Sequence, residues 1–128
     1  MNLSEKLNII LKDYSSGNKE LAYKKFKKIY AQNKGDTKLR FNLAVMQQEL
    51  GLLNEAELNY ISLIENNENS ESGEVSKYKI NLYNLYITKG FYQNALKIIN
   101  SIKLTSYSLN NVAEHFSYDN KKKILIES

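Results

Sequence analysis

Residues Asn42–Tyr60, NLAVMQQELGLLNEAELNY, carry the pattern that decides the fold. An apolar helical run ends at Gly51, an alanine follows five residues later, and an aromatic residue comes four residues after that. The same pattern surrounds Gly17 and, with Ile99 at the position of the aromatic residue, Gly90. The first two copies are offset by 34 residues and the last two by 39, so one connection is five residues longer. The chain therefore contains three copies of a helix-glycine-helix unit.

The composition is that of an ordinary globular protein. A chain of 128 residues with 42% hydrophobic and 25% charged residues predicts one domain with a real core. With no cysteine, disulfides, thiolate nucleophiles and cysteine-based zinc sites are excluded. The first apolar run is broken by Glu5 and Asp13, so it does not resemble a signal peptide, and no stretch approaches membrane-spanning length. We expect a cytoplasmic protein.

The charge is banded along the chain. Residues 1–40 carry a net charge of +6, residues 41–76 carry −7, and residues 77–128 carry +5. A uniformly basic nucleic-acid-binding protein would lack the acidic middle band. The four lysines of the second predicted helix are interpreted as a solvated outer face: Lys24, Lys25, Lys27 and Lys28.

Helical spacing of apolar residues predicts an all-α fold. The predicted helices cover about 3–15, 18–32 and 36–50, then a fourth from Asn54 to the polar segment 66–74, and two more over about 75–88 and 92–103. Asn18 and Asp36 are predicted N-caps, and Asn54 with Glu57 resembles a capping box. A further amphipathic helix at about 107–118 is predicted to cap the array, and the tail KKKILIES fits no class.

Three helix pairs with a period of 34 residues, lengthened to 39 at one connection, resemble the tetratricopeptide repeat. The residues that carry the resemblance are Asn8, Ile9, Ile10, Gly17, Ala22, Phe26 and Ile29; Asn42, Leu43, Ala44, Gly51, Ala56, Tyr60 and Leu63; and Asn81, Leu82, Tyr83, Gly90, Ala95, Ile99 and Ile102. The resemblance implies a solenoid of helix pairs at about 3–34, 36–68 and 75–103, with residues 104–128 as capping helix and tail. The large aromatic that usually opens the first helix of each repeat and the closing proline are both absent.

In that family the first helix of each pair lines a concave groove that holds a peptide or a partner helix. Counting back from each glycine, the resemblance implies that the groove is lined by Asn8, Asn42, Asn81, Leu7, Leu11, Phe41, Val45, Ile80, Asn84, Lys38 and Lys77. Tyr14, Gln48 and Ile87 occupy the column three residues before each glycine.

The column of Asn8, Asn42 and Asn81 is the sharpest of these features. A side-chain amide both donates and accepts, so three at repeat spacing can pair with the backbone of an extended partner. The competing interpretation is that asparagine is simply abundant here, at 17 of 128 residues.

The apolar groove residues also have two interpretations. Leu7, Leu11, Phe41, Val45 and Ile80 form an apolar floor, or some of them pack inward as core. The clamp that binds chaperone tails is disfavoured, because only Asn42 and Lys77 fit its pattern.

Catalysis has little support in the sequence, and we expect no enzyme activity, no metal and no cofactor. The single histidine, His115, lies beside Glu114 without an HExxH spacing or a phosphate-binding glycine loop. Lys121–Lys123 are interpreted as a solvated tail.

The sequence predicts a protein or peptide partner held by a scaffold that is monomeric. Nucleic acid and membrane are disfavoured. The alternatives are a helical repeat that binds RNA or another polyanion through its basic bands, and an adaptor module of a larger enzyme system.

Overall fold

The structure, a computed structural model, describes residues 1–68 and 73–102. All regular secondary structure in that part of the chain is helical, which confirms the predicted all-α class. The helices are α1 (Leu3–Ser15), α2 (Lys19–Ala31), α3 (Thr37–Glu49), α4 (Leu53–Asn67), α5 (Glu74–Lys89) and α6 (Tyr92–Asn100). The last helix ends three residues before the predicted 103. The predicted capping helix at 107–118 and the tail lie outside the described residues.

The three glycines of the repeat form the same turn. Gly17, Gly51 and Gly90 have φ values of 98°, 81° and 78°, in the left-handed region that glycine occupies without a steric penalty. In each turn the residue after the glycine donates its backbone N–H to the carbonyl five residues earlier, the bond of a Schellman motif. These bonds run from Asn18 to Asp13 at 3.0 Å, from Leu52 to Gln47 at 2.8 Å and from Phe91 to Tyr86 at 2.8 Å.

The turn also determines where the next helix begins. The backbone carbonyl of the residue after the glycine accepts the N–H of the repeat alanine, at 3.0–3.1 Å in all three units. Leu52 therefore occupies the cap of α4, so the predicted capping box at Asn54 is wrong and Asn54 lies inside the first turn.

Asn18 does stand at the cap of α2, but its side chain makes no capping hydrogen bond. Asp36 caps α3 as predicted, accepting from Leu39 N–H at 3.0 Å.

The repeat alanines are fully buried. Ala22, Ala56 and Ala95 each have 0% exposure. An alanine at such a position lets two helix backbones approach closely, where a larger side chain would clash. The spacing in the sequence thus corresponds to a repeated local geometry of helix, left-handed glycine and buried alanine.

The chain divides into two compact units, Met1–Asn59 and Tyr60–Ser128, with the division inside α4. In the first unit α1 packs on α2, and α2 packs on α3. Its core is formed by the buried residues Ile10, Ala22, Phe26, Leu39, Leu43 and Met46, with half-buried residues such as Leu7 and Tyr14 against them.

A polar chain of hydrogen bonds crosses the first unit beside this core. Gln47 is 4% exposed, and its amide Nε2 donates to the Tyr23 hydroxyl at 3.1 Å. Its Oε1 accepts from Asn59 Nδ2 at 2.7 Å, and Asn59 Oδ1 accepts from Arg40 Nε at 3.0 Å. Because a buried amide is costly unless it is bonded, these contacts are what allows Gln47 to occupy an interior position.

In the second unit α5 packs on α6. The largest side chains that are almost completely buried there are Tyr60, Leu63, Leu82, Tyr83 and Leu85. Burial raises the pKa of the Tyr83 phenol above its ordinary value. No helix in the described part of the chain combines the length and the apolarity needed to cross a membrane.

Candidate peptide-binding cleft

A cleft of about 220 Å³ opens between α1 and α3 in the first unit. Four of the predicted groove residues line it: Leu7, Leu11, Asn42 and Val45. The other lining residues are Ile10, Tyr14, Phe26, Met46 and Glu49. Both walls follow from helical periodicity, since residues 7, 10, 11 and 14 share one face of α1 and residues 42, 45, 46 and 49 share one face of α3. We call this cleft the α1–α3 cleft.

Tyr14 and Glu49 form the polar side of this cleft. The Tyr14 hydroxyl donates a short hydrogen bond to the Glu49 carboxylate. Desolvation by burial, that hydrogen bond and the negative charge of Glu49 raise the pKa of Tyr14 to about 12. The Lys19 ammonium lies 5.3 Å from the centre of the Tyr14 ring, a cation–π contact from α2. The phenol therefore stays protonated at neutral pH.

The asparagine column is divided between different surroundings. Asn8 and Asn42 are exposed, but Asn8 lines a neighbouring shallow depression with Leu11, Lys12, Ser15 and Ser16, not the α1–α3 cleft. Asn81 is half-buried, and its amide Nδ2 donates to the Lys77 carbonyl of its own helix at 2.9 Å. The first unit therefore presents two of the three amides to solvent, and only Asn42 lies within the cleft.

The remaining predicted groove residues fall into two groups. Lys38 and Lys77 are exposed and Asn84 is half-buried. Phe41 and Ile80 are only 8% and 3% exposed, so these two follow the alternative in which floor residues pack inward. The physical reason is visible in α3, which buries residues on more than one face, whereas α1 buries only Ile10. Leu7 and Leu11 are therefore the predicted floor residues on α1 that remain accessible, with Leu11 at 57% exposure.

Glu49 is the functional candidate that the sequence analysis missed. Counting columns back from Gly51 selected Asn42, Val45 and Gln48, and Glu49 lies outside those columns. A spacing of seven residues after Asn42 places it on the same helix face, two turns on, and this was the signal that could have identified it. Among the described residues, no lysine or arginine forms an ion pair with Glu49.

The α1–α3 cleft offers apolar contact, one amide and one carboxylate. Across the described residues, no cluster of three or more histidine, aspartate or glutamate side chains could hold a metal ion. The sequence matches no protein-family model and no curated protein. The role of the cleft must therefore be inferred from its residues and their geometry.

Proposed function

We propose that this chain is a non-catalytic protein-interaction module of the cytoplasm, a tetratricopeptide-like array of helix pairs. It binds a peptide or an extended segment of a partner protein. The observation that carries this proposal is the α1–α3 cleft, in which predicted groove residues from the first helices of two successive pairs lie together.

The size of the cleft favours a side chain over a whole small molecule. Sites for drug-sized ligands and cofactors usually enclose about 300–1,000 Å³. A cleft of about 220 Å³ matches one or two aliphatic side chains of a longer segment that continues across the surface. Binding of that kind takes its energy from a few anchors and its register from polar contacts around them.

The chemistry of the rim specifies the bound segment further. Leu11 and the half-buried Leu7 and Val45 provide apolar contact for an aliphatic anchor. The exposed Asn42 amide can donate to and accept from the partner's main chain. Glu49 adds a negative charge, so a lysine or arginine beside the anchor would be favoured over an acid.

The competing proposal of polyanion binding draws support from the exposed lysines of α2: Lys24, Lys25, Lys27 and Lys28. One of them is already neutralised, because Lys25 Nζ lies 2.9 Å from Asp13 Oδ2. The acidic band of residues 41–76 would also repel a polyanion that extended along the chain. Peptide binding is therefore the better supported of the two.

The test is selection of peptides from a random displayed library on the immobilised full chain. We expect a consensus with one or two aliphatic residues next to a basic residue. Leu11→Glu should abolish binding of the selected peptides, since it places a charge in the cleft at a side chain that is 57% exposed and little involved in folding.

Leu21→Glu is the matched control, because Leu21 is 49% exposed on α2 and does not line the α1–α3 cleft. Equal loss in both variants would overturn the assignment of the site. Failure to select any peptide, together with retention of single-stranded RNA whose affinity falls steeply with salt, would favour the polyanion proposal instead.

A further inference from the structure

A second cleft, of about 240 Å³, lies between α1 and α2 in the first unit. Its lining residues are Met1, Lys6, Ile9, Ile10, Lys25, Lys28 and Ile29. The isoleucines supply an apolar floor, and Ile9 remains 42% exposed. We call this surface the basic cleft. Of its lining residues, only Ile10 is shared with the α1–α3 cleft.

The rim of the basic cleft is positively charged. Three lysines line it and no acidic residue does. Lys25 is paired with Asp13, whereas Lys6 and Lys28 form no ion pair with any described residue. An occupant that matches this surface has an aliphatic group for the isoleucine floor and a carboxylate next to it.

A ridge on α4 of the same unit has that chemistry. Leu58 is 68% exposed, more than any other large hydrophobic residue within the described helices. Glu55 is also exposed and lies three residues earlier, so both side chains share one face of the helix. We call Glu55 and Leu58 the acidic ridge.

We propose that the acidic ridge of one copy of this chain docks into the basic cleft of a second copy. Leu58 covers the isoleucine floor, and Glu55 pairs with Lys28 or Lys6 across the rim. The two surfaces differ, so the contact is heterologous and leaves a free cleft and a free ridge for further copies. This association is independent of the proposed peptide binding, because it uses neither Leu11 nor Asn42.

The contact is small, so the association is weak and depends on concentration. The monomer that the sequence predicts is then the form present at low protein concentration. Because the pair that Glu55 forms with a lysine lies at an exposed rim, added salt weakens the association.

The test is sedimentation equilibrium of the full chain over a range of concentrations up to about 1 mM, the region of weak association. We expect the average mass to rise with concentration and to fall when salt is added. Leu58→Ser and Ile9→Ser should each weaken self-association at least about tenfold. Leu21→Ser is the matched control and should leave self-association unchanged, since Leu21 is exposed on α2 but belongs to neither surface.

Mixing the two inactive variants identifies the contact. The Leu58→Ser chain keeps an intact basic cleft, and the Ile9→Ser chain keeps an intact ridge. Their mixture should form a heterodimer that does not grow further, while each variant alone stays monomeric. Circular dichroism melts that overlay the parent would show that both variants are folded.

Three results would overturn the proposal. The first is a parent chain that remains monomeric at about 1 mM. The second is a mixture of variants that stays monomeric although the parent associates, since the contact would then lie elsewhere. The third is binding of the parent to vesicles of anionic phospholipid that Ile9→Ser abolishes and Leu58→Ser leaves intact, which would make the lipid surface the occupant of the basic cleft.

Discussion

The Tyr14 hydroxyl at the end of α1 donates a hydrogen bond to the Glu49 carboxylate at the end of α3, 35 residues later in the chain. These two helices form the walls of the α1–α3 cleft. The bond therefore joins the walls at one side of the cleft. It also directs one carboxylate oxygen toward α1 and holds the phenol in its protonated form.

Replacing Tyr14 with phenylalanine tests this bond. We expect the free energy of unfolding to fall by about 0.5–1.5 kcal/mol at neutral pH, the net value of a typical hydrogen bond. Chemical denaturation monitored by circular dichroism measures this difference. If the variant matched the parent at neutral pH, the bond would not contribute to stability.

The pH dependence of that difference has a defined sign. The pKa of Tyr14 is raised in the folded chain from 10.0 to about 12, so its contribution to stability is complete below pH 10 and is lost as the pH rises through about 12. The gap between the parent and Tyr14→Phe should narrow over this window. A gap that stayed constant from neutral pH to pH 12 would contradict the assignment.

The buried alanine of the repeat provides the second prediction. Ala56 has 0% exposure, so Ala56→Leu should destabilise the fold by about 1–3 kcal/mol through overpacking. Thermal denaturation measures the loss. Ala31→Leu is the control, because Ala31 is exposed near the end of α2 and a leucine there meets solvent. Equal melting temperatures for both variants would show that Ala56 does not occupy a tight crossing.

The third prediction concerns the large residue four positions after the repeat alanine. Phe26 is 4% exposed in the core of the first unit. Phe26→Ala should destabilise the fold by about 3–5 kcal/mol, since it removes buried apolar surface and leaves a cavity. Phe26 also lines the α1–α3 cleft, so the same variant should enlarge it. Phe26→Leu retains most of the volume and should recover most of the stability.

The fourth prediction concerns Gln47. Gln47→Leu has a similar volume but removes the hydrogen-bond partners of the Tyr23 hydroxyl and of Asn59 Nδ2, at a cost of about 1–3 kcal/mol. Adding Tyr23→Phe should recover part of the loss, because it removes one of the unsatisfied groups. A double-mutant cycle measured by denaturation should show coupling of about 0.5–3 kcal/mol, as for side chains in one network. Independent effects of the two substitutions would mean that the network does not act as a unit.

The sequence predicted the helices well, because their signals are local. Apolar periodicity and the glycines determine where α1, α2, α3 and α5 lie, and each observed boundary is within about two residues of its prediction. The predicted position of the α4 N-cap, at Asn54, was wrong for a physical reason. A backbone turn at Gly51 places Leu52 at the cap, so the turn outweighed the side-chain preference of Asn54.

The candidate site was only partly predictable from the sequence. The structure brings four of the predicted groove residues, Leu7, Leu11, Asn42 and Val45, together along the α1–α3 cleft. Phe41 and Ile80 are buried because their helices are enclosed on more than one face, a property that depends on neighbouring elements and not on local sequence. The basic cleft and the acidic ridge were likewise invisible in the sequence, since each is defined by which apolar side chains the packing leaves uncovered.

The last prediction concerns the asparagine column and peptide binding. Each amide that pairs with a partner's main chain should contribute about 0.5–1.5 kcal/mol, or about two- to tenfold in affinity, because water competes for it in the free protein. Asn42→Ala should have the largest effect, since Asn42 alone of the column lines the α1–α3 cleft. Asn8→Ala should have a smaller effect, from the adjoining depression. Asn81→Ala should have the smallest, because its amide already donates to the Lys77 carbonyl at 2.9 Å.

These substitutions separate binding from folding. Alanine has a higher helix propensity than asparagine, so the three variants should melt at or above the temperature of the parent. Calorimetric titration with a selected peptide measures each loss, and the triple variant should lose about two orders of magnitude if the contacts add. Lys24→Ala with Lys27→Ala is the control, since both lysines are exposed on α2 and line neither cleft. If the lysine variant lost the peptide while Asn42→Ala retained it, binding would follow the charge of α2 and the α1–α3 cleft would not be the site.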